Sequence, residues 1–262
     1  MKKYLYIIKT TFNDSIQYIS SLFIRFIGFA ITMSILLSLW TFIYQDNTTI
    51  SGYTLKEMFW YLLLTETITF GSKSPVATNE VKNCIKSGNI AYQINKPYHY
   101  IIYSITKFFA DTLIRFIAFT IISTILGLIY VGPINNISII SFISCIPVFL
   151  LAVLITGMIK ILISLTSFWV EDSHPFQMIY SKIILIFGIF FPIEMFPKII
   201  GNILRYTPIY SVSYGPAKLM LSYNFPFFLN ILITQIITII IISVIINIVY
   251  RRGVRKLNVN GG

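Results

Sequence analysis

A long apolar run late in the sequence limits the folds open to this chain. The run is PFFLNILITQIITIIIISVIINIVY, residues 226–250, and it contains no charged side chain. A helix that is apolar on every face over this length does not suit the surface of a soluble protein, whereas one bilayer crossing needs about 20 mostly apolar residues. The chain is 56% hydrophobic and 11% charged, against about 25% charged in soluble domains. We therefore expect an all-α polytopic membrane protein.

Six apolar segments are expected to cross the membrane, within a single domain over residues 1–262. The predicted spans cover residues 21–44, 53–71, 108–131, 137–160, 176–197 and 226–250. The second span is the weakest of the six, because it carries Lys56, Glu57 and Glu66.

The residues before the first span have a different pattern. Apolar side chains recur there at helical spacing, with charged residues between them: Leu5, Ile8, Phe12, Ile16 and Ile19. This predicts an amphipathic helix that lies on the membrane surface. We expect no cleavable signal peptide, because the first apolar run begins near Ser20 and is too long for a signal-peptide core.

The distribution of basic residues predicts how the spans are oriented. With the N-terminus inside, the outer side holds only four of the 20 Lys and Arg residues: Lys56, Lys198, Arg205 and Lys218. Cytoplasmic loops are enriched in positive charge, so both termini are expected in the cytoplasm. The net charge of +11 then reflects the excess of basic residues on the cytoplasmic side of a protein surrounded by membrane lipid. We therefore expect no nucleic-acid partner.

The cytoplasmic connection over residues 72–100 is too long to be a simple turn. Its apolar residues fit one face of a broken helix: Val81, Ile85, Ile90 and Ile94. Its charged residues fit the other face: Glu80, Lys82, Lys86 and Lys96. Gly88 followed by Asn89 predicts a helix end, and Pro97 predicts the start of the next helix. A helix that covers lipid head groups and a docking surface for a cytoplasmic partner both fit this pattern.

Another inner turn, between the fourth and fifth predicted spans, is rich in polar residues. It contains Glu171, Asp172, His174 and Pro175 in a chain with nine acidic residues. We expect Asp172 to cap the fifth span, with Pro175 in its first turn. Contact with a partner is compatible with that role. A zinc site that combines His99 and His174 with a carboxylate has too few ligands, so we expect no metal site and no catalytic residue.

Charged residues inside the spans fall into two groups. Lys107, Asp111 and Arg115 are spaced by four and share a helix face, which predicts an ion triad at the inner membrane edge. Glu66 lies about 13 residues into its span, on the order of 20 Å deep. An ionisable group at that depth is a functional candidate. Pairing with Arg25 or Arg115 and a position along a transport path both stay open.

The outer connection over residues 192–225 is also too long for a turn. Its candidate residues are Pro192, Glu194, Pro197 and Pro208. Half-helices that dip into the outer leaflet and an amphipathic cap on the bundle both fit the pattern.

Two stretches of the sequence resemble permeases of ABC-2 type transporters. KSGNIAYQINKPYHYIIY is similar to the cytoplasmic element after their second span, and SFWVEDSHPFQMIYSKIILIFGIFFPIEMFP is similar to their fourth-to-fifth span region. The matching residues are Trp169, Glu171, Asp172, Pro175, Phe191, Pro192, Phe196 and Pro197. The order and spacing of these short motifs extend the resemblance over nearly the whole chain.

The resemblance implies the transmembrane subunit of an exporter in a bacterial cytoplasmic membrane. It implies a coupling helix that docks on a separate ABC ATPase subunit, with these residues at the contact: Glu80, Lys82, Lys86, Gly88, Ile90, Lys96 and Pro97. It also implies re-entrant outer helices and a second permease copy or paralogue. ATP and Mg would be held by the ATPase, and no cofactor by this chain.

The sequence itself contains no nucleotide-binding loop. The nearest match, FGSKS at residues 70–74, lacks the first glycine and the Gly-Lys pair of a P-loop. Two other functions stay open, a membrane-embedded enzyme and a membrane assembly or immunity protein that transports nothing. The residue pattern does not identify a substrate.

Overall fold

The computed structural model describes residues 2–17, 22–134 and 138–260. Within these ranges the regular structure is helical, apart from one isolated bridge between Ile50 and Tyr53. The α-helices are α1 Lys2–Gln17, α2 Leu22–Ile43, α3 Leu55–Gly71, α4 Val81–Lys86, α5 Ile90–Ile94, α6 Tyr100–Tyr130, α7 Ile139–Leu165, α8 His174–Ile184, α9 Lys198–Arg205, α10 Gly215–Leu221 and α11 Phe225–Asn260. The π-helical segments are Val76–Glu80, Leu185–Phe190 and Tyr210–Tyr214.

Four helices in the described part of the chain are long and apolar enough to cross a membrane. They are Leu22–Ile43, Tyr100–Tyr130, Ile139–Phe168 and Phe225–Lys256. Two predicted spans correspond to shorter helices, which are α3 and the apolar segment His174–Phe190. The all-helical class is thus confirmed, and the count of six spans stays a prediction.

Several helices do not have the bounds of the predicted spans. The third predicted span, 108–131, belongs to a helix that already begins at Tyr100, and the sixth, 226–250, belongs to a helix that continues to Asn260. In the fifth predicted span, 176–197, the continuous helical backbone ends at Phe190. The next residue, Phe191, is extended, as expected for a residue that precedes proline.

The sequence just before two helices fixes where they begin. Thr54 accepts a hydrogen bond from the Glu57 backbone N–H, and the Glu57 side chain accepts one from the Thr54 N–H. Ser138 and Ser141 form the same reciprocal pair at the start of α7. Such capping boxes satisfy backbone N–H groups that lack a partner within the helix.

Helix α3 lies at the centre of the bundle, against α2, α6, α7 and α10. Its residues Met58, Phe59, Tyr61, Leu62 and Leu63 are all buried. Small residues let the surrounding helices approach closely. Gly127 of α6 packs on Trp60, and Gly157 of α7 packs on Phe108 of α6.

On several long helices, the faces that point away from the packed core carry exposed apolar side chains. On α2, α6 and α11 these include Ile24, Ile31, Ile35, Ile121, Ile125, Ile129, Ile233, Ile237 and Ile240. An isoleucine-rich outer surface of this extent is typical of helices in contact with lipid tails.

Candidate functional site

The docking segment, residues 72–98, follows α3 and forms a broken helix. Val81, Ile85 and Ile90 are buried, as the spacing predicted, but Ile94 is 37% exposed. The first piece ends at Lys86, and Gly88 follows with a φ of +74°. This left-handed conformation is the one glycine adopts without strain after a helix end. Pro97 lies before α6 and does not start it, because that helix begins at Tyr100 with His99 as its N-cap.

The tip of the docking segment faces outward. Lys86, Ser87, Gly88 and Asn89 are exposed. Lys96 is half-buried, and its ammonium lies 5.0 Å from the centre of the exposed Tyr92 ring. The segment therefore presents a small basic and polar surface around its central turn.

Side chains from three long helices bind backbone carbonyls at the base of this segment. The guanidinium groups of Arg25 and Arg115 both donate to the Lys73 carbonyl, at 3.1 and 2.8 Å. The Lys160 ammonium donates to the Ser72 carbonyl at 2.9 Å. The Ser164 hydroxyl donates to the Ala77 carbonyl at 2.5 Å. The base is thus attached to α2, α6 and α7 at once.

Ion pairs extend this attachment to the flanks of the segment. Lys107 pairs with Glu80 at 2.7 Å, and Arg115 pairs with Asp111 at 2.9 Å. Asp111 also accepts a 2.5 Å hydrogen bond from Ser74. The predicted triad therefore forms only in part, because Lys107 contacts the docking segment at Glu80.

The acid-rich turn packs against the same segment. Asp172 accepts a hydrogen bond from the His174 N–H at 3.0 Å, while Ser173 occupies the N-cap position itself and Pro175 lies in the first turn of α8. Asp172 also pairs with Lys82 at 3.2 Å. The His174 N–H first, and the Lys82 ammonium second, hold the pKa of the Asp172 carboxyl below its usual value. Glu171 and His174 are exposed beside it.

Glu66 borders a cavity of about 220 Å³ between α3, α7 and α8. Its side chain is buried, and its nearest charged neighbour is Lys73. No ion pair of Glu66 with Arg25 or Arg115 is found among the described residues, and both guanidinium groups bind the Lys73 carbonyl. A position of Glu66 along a transport path stays a prediction. Lys160 lines the same cavity and is buried.

A second polar cluster lies near the start of α3, at the opposite end of that helix from Lys73. The Glu194 carboxylate accepts hydrogen bonds from Tyr214 at 2.5 Å and from Tyr53 at 3.1 Å. The Lys218 ammonium lies 3.5 Å from the same carboxylate and 4.3 Å from the centre of the Tyr53 ring. Burial is the main cause that raises the pKa of the Tyr53 hydroxyl, and the Glu194 charge adds to it.

The other candidate residues of the outer connection do not join this cluster through side-chain bonds. Pro192 and Pro197 lie immediately before the short helices Ile193–Met195 and Lys198–Arg205. Pro208 begins the helical stretch that leads into the π-helical segment Tyr210–Tyr214. Sequence reasoning selected Glu194 from this region but missed its partners, because tyrosines are frequent in this chain and carry no pattern of their own.

No metal-binding cluster is found among the described residues, where no three His, Cys, Asp or Glu side chains come together. The arrangement offers an exposed turn with a basic residue, a cavity lined by charged and apolar residues, and a backbone held by side chains of three helices.

Comparison with known proteins adds one finding. The model of a family described as "ABC-2 family transporter protein" matches residues 29–261. A search of curated protein sequences finds no match to the chain.

Proposed function

Because the chain belongs to the ABC-2 transporter family as a membrane permease subunit, we propose that it is the permease of an ATP-driven exporter in a bacterial cytoplasmic membrane. A separate ABC ATPase subunit would hold ATP and Mg and supply the energy. This chain would form the path and would make or break no covalent bond.

The observation that carries the proposal is the contrast between the two ends of the docking segment. Its tip, around Lys86 and Gly88, is exposed. Its base is bonded to α2, α6 and α7 through the carbonyls of Ser72, Lys73 and Ala77. A partner that pushes on the tip would therefore move several membrane helices. The contact residues we assign are Glu80, Lys82, Lys86, Gly88, Lys96 and Pro97. Ile90 is fully buried, so it would support this surface from inside and not touch the partner.

The proposal includes six spans with both termini in the cytoplasm. Helix α3 has 17 residues, the lower limit of the range of about 17–25 that crosses a bilayer. The apolar segment His174–Phe190 is of similar length. The basic residues of the docking segment favour a cytoplasmic position for it. We also assign α1 to the inner membrane surface.

We further propose that residues 198–221 form a re-entrant element in the outer leaflet. Gln235 donates hydrogen bonds to the carbonyls of Val148 and Ser211, both at 2.9 Å. Gln235 lies ten residues after Phe225, which is about 15 Å along the helix. Tyr223 contacts Ser144 near the beginning of α7, so the chain returns toward the outer end. Family membership supports the pairing with a second permease copy or paralogue.

The docking proposal is tested by co-purification with an ABC ATPase, which is sought first among the genes next to that of this permease. Lys86→Glu reverses a charge at the exposed tip, and Gly88→Ala forces an L-residue into the left-handed region at a cost of about 1–2 kcal/mol. No atom lies within 4 Å of a Cβ at Gly88, so this change strains the turn without a clash. Both variants are expected to lose ATPase binding and stimulation, while the control Lys198→Glu retains them. Full retention in both tip variants would rule out this docking surface.

Orientation is tested separately with a thiol reagent that does not cross membranes. Cys84 and Cys145 are replaced by serine, and the exposed Asn89 by cysteine. Labelling is expected in inside-out vesicles and not on intact cells. Labelling on intact cells would place the docking segment outside and end the proposal.

A further inference from the structure

The cavity beside Glu66 has properties that coupling to an ATPase does not require. Its basic lining residues are Lys73, Lys160 and Lys182, and Tyr180 adds a hydroxyl group. Its apolar wall is formed by Phe70, Ile184, Leu185, Ile189 and Val212. A cavity lined by both basic and apolar side chains suits an amphiphilic molecule.

The balance of charge in the cavity is positive. Three lysines line it, and Glu66 is its single acidic lining residue. The nearby Asp111 carboxylate is already engaged by Arg115 and Ser74. An added anion would therefore meet a positive field, which is less screened at the buried Lys160 than at the exposed Lys182.

Hydrogen-bond donors remain available in the cavity. An ammonium group has three N–H donors, and the only hydrogen bond found for the Lys160 ammonium among the described residues goes to the Ser72 carbonyl. The Tyr180 hydroxyl is buried and has no hydrogen-bond partner in the described part of the chain. By contrast, the hydroxyl groups of Thr69 and Thr156 donate to carbonyls of their own helices. The unused donors are thus those that favour an anionic acceptor.

Glu66 has a distinct place in this arrangement. It is buried at the cavity wall, with Lys73 as its nearest charged neighbour. Its carboxylate competes with a bound anion for the lysines and repels that anion. Removal of its charge is therefore expected to strengthen anion binding, whereas loss of a lysine is expected to weaken it.

We propose that this cavity binds an amphiphile with an anionic, phosphate-type head group, which contacts the lysines while its apolar part contacts the apolar wall. This proposal rests on the proposed function in one respect, because it identifies the bound amphiphile as the exported substrate. Binding itself is measured without ATP or the ATPase, so a failure of this site leaves the docking proposal standing.

The test measures the thermal unfolding midpoint of the purified full chain in dodecyl maltoside. Three probes are titrated: dodecyl phosphate, inorganic phosphate and dodecyltrimethylammonium. Dodecyl phosphate is expected to raise the midpoint in a saturable way, and the cationic amphiphile is not. A shift with dodecyl phosphate alone identifies an amphiphile as the ligand, whereas an equal shift with inorganic phosphate identifies a free anion and overturns the role of the apolar wall.

Variants separate a specific site from general stabilisation. Lys182→Gln removes a charge from an exposed side chain and is expected to raise the half-saturating concentration roughly fivefold, as for one partly screened ion pair. Glu66→Gln is expected to lower it, and Lys198→Gln, outside the cavity, to leave it unchanged. Equal stabilisation by both charged amphiphiles, or an unchanged affinity in Lys182→Gln, would overturn the site. General damage to the fold would weaken binding in both Lys182→Gln and Glu66→Gln. Because the proposal expects opposite effects in these two variants, weaker binding in both would also contradict it.

Discussion

Replacing Gly157 by alanine tests the close approach of α6 and α7, on which the position of the docking segment depends. A Cβ at Gly157 would lie closer than 3.0 Å to the ring of Phe108. Ordinary carbon–carbon contacts are about 3.5–4.0 Å, so the buried ring would have to move. Overpacking of this kind costs about 1–3 kcal/mol. The helical preference of alanine over glycine offsets about 0.5–1 kcal/mol of that cost.

The net result expected for Gly157→Ala is a loss of about 0.5–2 kcal/mol, obtained from those two opposing effects. For a chain of this size that lowers the thermal unfolding midpoint by roughly 1–8 °C. The matched control is Gly28→Ala in α2, where no atom lies within 4 Å of the added Cβ. The same substitution is there expected to leave the midpoint unchanged or to raise it.

A second change checks that the ring is the cause. Phe108→Leu in the Gly157→Ala background is expected to recover part of the lost stability. The loss of unfolding free energy in the double variant should then be smaller than the sum of the losses in the two single variants. The midpoint is followed for the purified protein in detergent, with monodispersity as the check on folding. A Gly157→Ala variant as stable as Gly28→Ala would refute the described packing of α6 on α7.

Two further predictions concern the polar contacts. Because the pKa of Asp172 is held below its usual value, its link to Lys82 is expected to persist at neutral pH and to be lost only below about pH 4. Asp172→Asn should then differ from the native chain in thermal midpoint at pH 7, and this difference should shrink as the pH falls below about 4. At the outer cluster, Tyr214→Phe removes a hydrogen bond to the Glu194 carboxylate, a type worth about 1.5–3 kcal/mol. It should lower the midpoint more than Tyr53→Phe, whose bond is longer, and the reverse order would contradict the described cluster.

Local chemistry in the sequence was enough to predict part of this architecture. The all-helical class follows from apolar runs longer than a soluble core needs. The helix end before Gly88 follows from the freedom of glycine in the left-handed region. Asp172 was predicted to cap the next helix, and it does accept a first-turn N–H. Each of these features depends on residues close together in the chain.

The contacts that define the candidate site depend on residues far apart in the chain. Lys82 and Asp172 are separated by 90 positions, and Lys160 and Ser72 by 88. Four hydrogen bonds that attach the base of the docking segment to α2, α6 and α7 end on backbone carbonyls. Every residue has such a carbonyl, so no side-chain pattern marks the acceptor. The π-helical segments likewise have no sequence signal of their own, and one of them, Leu185–Phe190, continues the helix of the fifth predicted span.

Helix α3 connects the three polar regions, and its surroundings determine how it can move. Just past its C-terminal end, the Ser72 and Lys73 carbonyls are held by α2, α6 and α7. At mid-length, the Tyr61 hydroxyl donates to the Gly188 carbonyl beyond α8 at 2.8 Å. Just before its N-terminal end, Tyr53 bonds to Glu194. A buried helix is stiff along its axis because its own hydrogen bonds fix its length. Under the proposed function, a push on the docking segment therefore either moves α3 as a unit, and the outer cluster with it, or breaks the carbonyl bonds at its base.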